Sequence, residues 1–98
     1  MIIITGHVLA RPESMDELRA LSLDHVRRSR TEPGCISHSV HVDVENPLRL
    51  VFLEAWSDRD AVAVHFAVPE SRAFVKAARG LAAEPPEIAV YEAHPLGM

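Results

Sequence analysis

Cysteine is almost missing from this chain: Cys35 is the only one in 98 residues. A single thiol excludes an internal disulfide and a cysteine-rich metal centre. Glycine is sparse, and the four present, Gly6, Gly34, Gly80 and Gly97, lie far apart. That spacing excludes a glycine-rich loop whose backbone could cradle a phosphate. The chain has no CxxC, HExxH or calcium-loop pattern and no nucleophile elbow. Positive charge is not in excess: 10 Lys and Arg against 14 Asp and Glu give a net charge of -4. Nucleic acid and anionic membranes are therefore not expected partners. The densest basic group, Arg27, Arg28 and Arg30, stands beside Asp24 and Glu32. It reads as a solvated helix end whose charge suits the C-terminal dipole. The apolar start, MIIITGH, is too short to span a membrane and has no basic leader. Neither a signal peptide nor a membrane segment is expected, and a cytoplasmic location follows.

Hydrophobic residues make up 48% of the chain and charged residues 24%, an ordinary globular composition. The length predicts one domain over residues 1–98. Ile2 to Ala10 is rich in β-branched residues and reads as a strand with both faces partly covered. Arg11-Pro12-Glu13 breaks it. Ser14-Met15-Asp16-Glu17 fits a capping box, and Met15, Leu18, Leu21 or Ser22, and Val26, with His25 nearby, trace one side of a helix. Pro33-Gly34 follows that helix. Cys35 to Val44 alternates as a strand, with Ile36, Val40 and Val42 on one face with His38, and Cys35, Ser37, Ser39 and His41 on the other. Asn46-Pro47 reads as the turn into a second strand, Leu48 to Trp56, in which Glu54 interrupts an apolar run. Ser57 to Asp60 reads as a second cap, with Asp60 reciprocating. A helix to Ala67 follows, then Pro69, then a helix with Phe74, Ala77, Ala78 and Leu81 at core spacing. Pro85-Pro86 ends helical structure, and Glu87 to His94 reads as the last strand.

The expected fold is thus α+β: ferredoxin-like βαββαβ with a split second helix and a four-stranded antiparallel sheet. Helices can cover only one face of that sheet. The other would expose a large apolar patch, so a homodimer joined through the sheet faces is expected.

Six histidines are the main source of chemistry. His38 and His41 point to opposite strand faces, so no metal is expected from that pair. His38, His41 and His94 read as hydrogen-bonded surface or seam residues. His65 differs: it sits beside Phe66 on a helix, a few residues after Phe52, Glu54 and Trp56. An imidazole there can exchange a proton near neutral pH. His7 is a second pocket candidate. Cys35, at a strand start with no cation to lower its pKa, reads as an inert thiol.

EPGC at Glu32 to Cys35, FLEAWSDRDAVAVHF at Phe52 to Phe66, AFV at Ala73 to Val75 and the closing IAVYEA form a combined pattern. It resembles the antibiotic biosynthesis monooxygenase family, also called the YgiN-like quinol monooxygenases, over Ile2 to Ala93. The resemblance implies a dimeric α+β barrel with a pocket between sheet and helices in each protomer. It further implies oxidation of a quinol or polycyclic phenol by dioxygen, with no flavin, haem or metal. His65 matches the family's pocket histidine and would be the catalytic base. Phe52, Trp56 and Phe66 would wall the pocket, and His7 or Tyr91 would orient a ring oxygen. One departure stands out: many members continue Ser-Pro-His-Phe, where this chain has Val68-Pro69-Glu70-Ser71. The haem-degrading Asn-Trp-His set is also missing. The alternatives are a non-catalytic small-molecule-binding dimer and an isomerase- or cyclase-type proton-transfer enzyme in the same fold.

Overall fold

A computed structural model describes all 98 residues, Met1–Met98. The chain runs β1 (Ile2–Leu9), α1 (Met15–Ser29), β2 (Cys35–Asp43), β3 (Asn46–Trp56), α2 (Arg59–Ala67), α3 (Pro69–Leu81), β4 (Glu87–Glu92). The four strands form one sheet in the order β2-β3-β1-β4, with every neighbour antiparallel. Each β-α-β crossover thereby skips one strand, the ferredoxin-like connection expected from the element order. No helix is long and apolar enough to cross a membrane.

The helices pack on the face carrying the even residues of β1 and β3. Ile2, Ile4, Val8, Leu50, Phe52 and Trp56 are buried there. This core is split. Val8, Leu18, Val26, Leu50, Phe52 and Ala78 form one apolar cluster. Ile2, Ile4, Trp56 and Val62 form the other. Glu54 lies between Phe52 and Trp56 on the same face of β3, so the seam between the clusters is polar.

Several local expectations change. Ser14 does not cap α1: its hydroxyl donates to the Leu81 carbonyl at 2.6 Å and accepts from Arg11 N at 3.1 Å. A long-range bond across the fold has outcompeted the local capping box. In α2 the cap is Asp58, which accepts from Ala61 N at 2.8 Å; Asp60 does not reciprocate. The β2–β3 turn is Val44-Glu45 rather than Asn46-Pro47, because Asp43 Oδ1 accepts from Glu45 N and Asn46 Oδ1 from Leu48 N. A bulge between Cys35 and Ser37 removes Ile36 from the face of His38 and leaves it 57% exposed. The helix break at Pro69 stands as expected: Val68 is extended and Pro69 opens α3, where its missing N–H costs nothing.

The opposite, odd-numbered face carries no helix. Leu53 is 48% exposed there and Tyr91 54%.

Candidate active site

A cavity of about 380 Å³ lies between α3, the helix-covered face of β1 and β3, and β4. Its walls are mainly apolar: Val8, Phe52, Phe66, Phe74, Val75 and Ile88. Its inner end is polar, formed by His25, Glu54 and His65. Arg72, Arg79 and Glu87 border it. An apolar cavity with a few converging polar groups is the usual form of a small-molecule site.

His65 belongs to α2 and is almost wholly buried. Its ring lies against Trp56, with centroids 4.5 Å apart. Nδ1 is 2.8 Å from Glu32 Oε1, and Nε2 is 3.8 Å from Glu54 Oε1. Glu32 stands in the turn after α1, anchored by its own N–H to the Ser29 carbonyl. A carboxylate at Nδ1 holds the Nδ1–H tautomer, leaving the lone pair on Nε2. Gly34 makes this approach possible. It has φ of 84°, and a Cβ there would meet Ala61 Cβ at 2.4 Å. Only a residue without a side chain lets the Glu32 turn lie against α2.

Glu54 is held by Trp56, whose Nε1–H donates to Oε1 at 2.9 Å. Burial alone would raise its pKa. His38, Trp56 and His65 together outweigh that and hold the carboxyl below its ordinary range. His38 Nε2 is 3.2 Å from Glu54 Oε1 but poorly aligned, and neither ring nitrogen makes a hydrogen bond. His38 is therefore not the bonded seam residue expected. It is fully enclosed, because it pairs with Glu54 on the helix-covered face of the sheet.

His25 completes the group from α1. Its ring stacks on Phe74 at 4.2 Å, and Nδ1 accepts from Arg28 at 2.8 Å. Burial, then the neighbouring His38 and His65, and then Arg28 lower its pKa to about 3, against a smaller opposing pull from Glu54. It is a neutral imidazole near neutral pH. Arg28 also donates to Ser71 Oγ at 3.0 Å, so this arginine ties α1 to α3 and is not merely a solvated charge. One nitrogen each from His25, His38 and His65 lies within 4.8 Å of the others.

Of the residues singled out in the sequence, His7, Phe52, His65 and Phe66 border the cavity. Trp56 lies behind His65, fully buried, and is not part of the wall. Tyr91 pairs with Ile3 on the odd-numbered sheet face, away from the cavity. The His7 ring is engaged by Arg49 at 3.0 Å and Glu87 at 3.2 Å. Cys35 has its pKa raised by burial first, then by Glu32 and Glu54, which suits an inert thiol. Glu32, His25 and Phe74 were not picked out by sequence as site residues. The one signal for His25 was its place beside the buried stripe of α1.

Fold and cavity together define a ferredoxin-like α+β protein with an aromatic-walled pocket ending in histidine and carboxylate. The antibiotic biosynthesis monooxygenase family model matches residues 1–77. The chain belongs to that family. It is 36% identical over 91 residues to the uncharacterized protein sll1783 of Synechocystis, covering 93% of this chain and 62% of that protein's length. It is 25% identical over 88 residues to YcnE of Bacillus subtilis, provisionally named a monooxygenase, covering 90% and 93% of the two chains. A crystal structure from Deinococcus radiodurans, provisionally named an antibiotic biosynthesis monooxygenase, superposes with a TM-score of 0.92 at 28% identity, covering 97% and 94%. Rv0793 of Mycobacterium tuberculosis shares the fold, with a TM-score of 0.90 at 22% identity over 99% and 98% of the chains.

Proposed function

We propose that this protein is a cofactor-independent monooxygenase that oxidises a quinol or polycyclic phenol with dioxygen, using His65 as the base. Family membership supports an oxidoreductase of monooxygenase type. The observation that carries the finer reading is the Glu32–His65 contact at 2.8 Å at the inner end of an aromatic-walled cavity.

The substrate's hydroxyl, or the enol of an anthrone, gives its proton to His65 Nε2. The imidazolium so formed lies between two carboxylates, Glu32 and Glu54. The electron-rich anion passes one electron to dioxygen, and the resulting radicals combine to a peroxide. For an anthrone, loss of water leaves a carbonyl: the CH2 and O2 become C=O and H2O, with all electrons supplied by the substrate. Phe52, Phe66 and Phe74 hold the ring and exclude water.

Two chains would pair through the odd-numbered sheet faces, burying Leu53 and Tyr91 and forming the dimeric barrel of the family. The test is dioxygen uptake by metal-stripped protein with an anthrone or naphthohydroquinone, after subtracting autoxidation. His65→Gln should cut uptake by about 100-fold or more, the usual contribution of a positioned base. Uptake unchanged in that variant would remove His65 from the chemistry. No uptake from a protein that still binds the ring compound would favour the binding module or a proton-transfer enzyme.

A further inference from the structure

We propose that His25, His38 and His65, with the Glu54 carboxylate beside them, form a binding site for one divalent first-row transition-metal ion. Imidazole and carboxylate ligands in such numbers suit zinc, cobalt or iron rather than calcium or magnesium.

The three histidines come from α1, β2 and α2, and one nitrogen of each lies within 4.8 Å of the others. Bonds of about 2.0–2.1 Å in a tetrahedron put neighbouring nitrogens about 3.3 Å apart, so each ring must move by about an ångström. Glu54 Oε1 lies 3.2 Å from His38 Nε2 and 3.8 Å from His65 Nε2, at the edge of the histidine group.

His38 is the independent sign of a ligand. Its side chain is fully enclosed, yet neither ring nitrogen makes a hydrogen bond; the Glu54 carboxylate, 3.2 Å from Nε2, is poorly aligned with it. Burying both without a bond is costly, and ligation would use one of them. The supporting contacts are also those of a metal site. Glu32 holds His65 Nδ1, leaving Nε2 to ligate, and Trp56 holds Glu54. Carboxylate-held imidazole is the recurrent outer arrangement around bound metals. The cavity reaches His25, Glu54 and His65, so an ion has a way in.

One neighbour opposes binding. The Arg28 guanidinium donates to His25 Nδ1 at 2.8 Å, which leaves that ring's proton on Nε2. Metal entry requires Arg28 to release Nδ1, and its charge repels the ion. Removing it should therefore tighten binding.

This inference goes beyond the proposed reaction and competes with it. The lone pair of His65 Nε2 can take a substrate proton or a metal ion, not both, so loading the site should inhibit uptake by the metal-free protein.

The test uses the untagged full chain, stripped with EDTA and titrated with Co(II). One Co(II) per chain should bind, with visible absorption bands that Zn(II) bleaches. His38→Gln and His38→Ala should weaken binding by more than about 100-fold, and Glu32→Gln by about 10–100-fold. Arg28→Met should tighten it. Ring 15N resonances of the wild-type protein with Zn(II) should shift at three of the six histidines only, which needs no variant to fold. No binding at equimolar concentrations would overturn the proposal. So would bands unchanged in the His38 variants, or shifts at His7, His41 and His94 instead. The two readings fail separately: the Co(II) titration does not depend on any organic substrate, and uptake by stripped protein does not depend on metal.

Discussion

Replacing Gly34 by alanine should be among the costliest single changes in this chain, and replacing Gly80 should have the opposite sign. At Gly34 two terms add. The backbone has φ of 84°, a region that costs an L side chain about 1–2 kcal/mol. The new methyl would also stand 2.4 Å from Ala61 Cβ and 2.8 Å from Ser57 Oγ. Ala61 is in α2, and Ser57 is tied to Gly34 by a 2.8 Å backbone bond, so neither contact relaxes without moving the helix. Overpacking of this kind costs about 1–3 kcal/mol. The sum, about 2–5 kcal/mol, should lower the Tm of a chain this size by about 10 °C or more. Gly80 lies inside α3, has no positive φ, and a Cβ there meets nothing within 4 Å. Alanine should stabilise it by up to about 1 kcal/mol. Urea and thermal denaturation of both variants read the two signs side by side. A Gly34→Ala protein within about 0.5 kcal/mol of the parent would refute the reasoning. It would mean that α2 is free to shift, and that the Glu32–His65 contact is not pinned from that side.

Ser14→Ala should destabilise the fold by about 1–3 kcal/mol, since it removes the buried bond to the Leu81 carbonyl at 2.6 Å, and urea midpoints would show it. A loss of a few tenths would make the serine an ordinary surface residue. Leu53→Asp places a charge in the centre of the uncovered sheet face, opposite Thr5 and Ser39. If two chains pair there, light scattering should give the mass of one chain for the variant and of two for the parent. A parent that runs as a single chain would sink the sheet-to-sheet pairing.

The fold was legible because it is written in period changes. The run from Phe52 to Phe66 shifts from strand alternation to helical spacing around Ser57-Asp58, and the chain does so too. Local end signals were less secure, since each competes with partners far along the chain. Ser14 satisfies a capping pattern on paper, but the Leu81 carbonyl, 67 residues away, takes its hydroxyl. The bulge at Ile36 follows from how β2 registers against β3, and the residues of β2 alone carry no sign of it.

The cavity was legible at His7, Phe52, His65 and Phe66, whereas most of the polar group around His65 was hidden, for a physical reason. His65 stands at a recognisable spacing after Glu54 and Trp56. His25, Glu32 and His38 reach it only by tertiary convergence, from α1, a turn and β2. What could have pointed to them is polarity where burial is expected. Ser22, His25 and Ser29 share the buried side of α1, and Glu54 sits inside an apolar run on β3. A core with no task for those groups would be more stable filled with apolar side chains, because each buried polar atom must find a partner. Here some make no hydrogen bond: both His38 ring nitrogens and one Glu32 oxygen. The proposed proton transfer needs groups that can change partners. A polar seam left partly unsatisfied provides them, at the cost of a core divided in two.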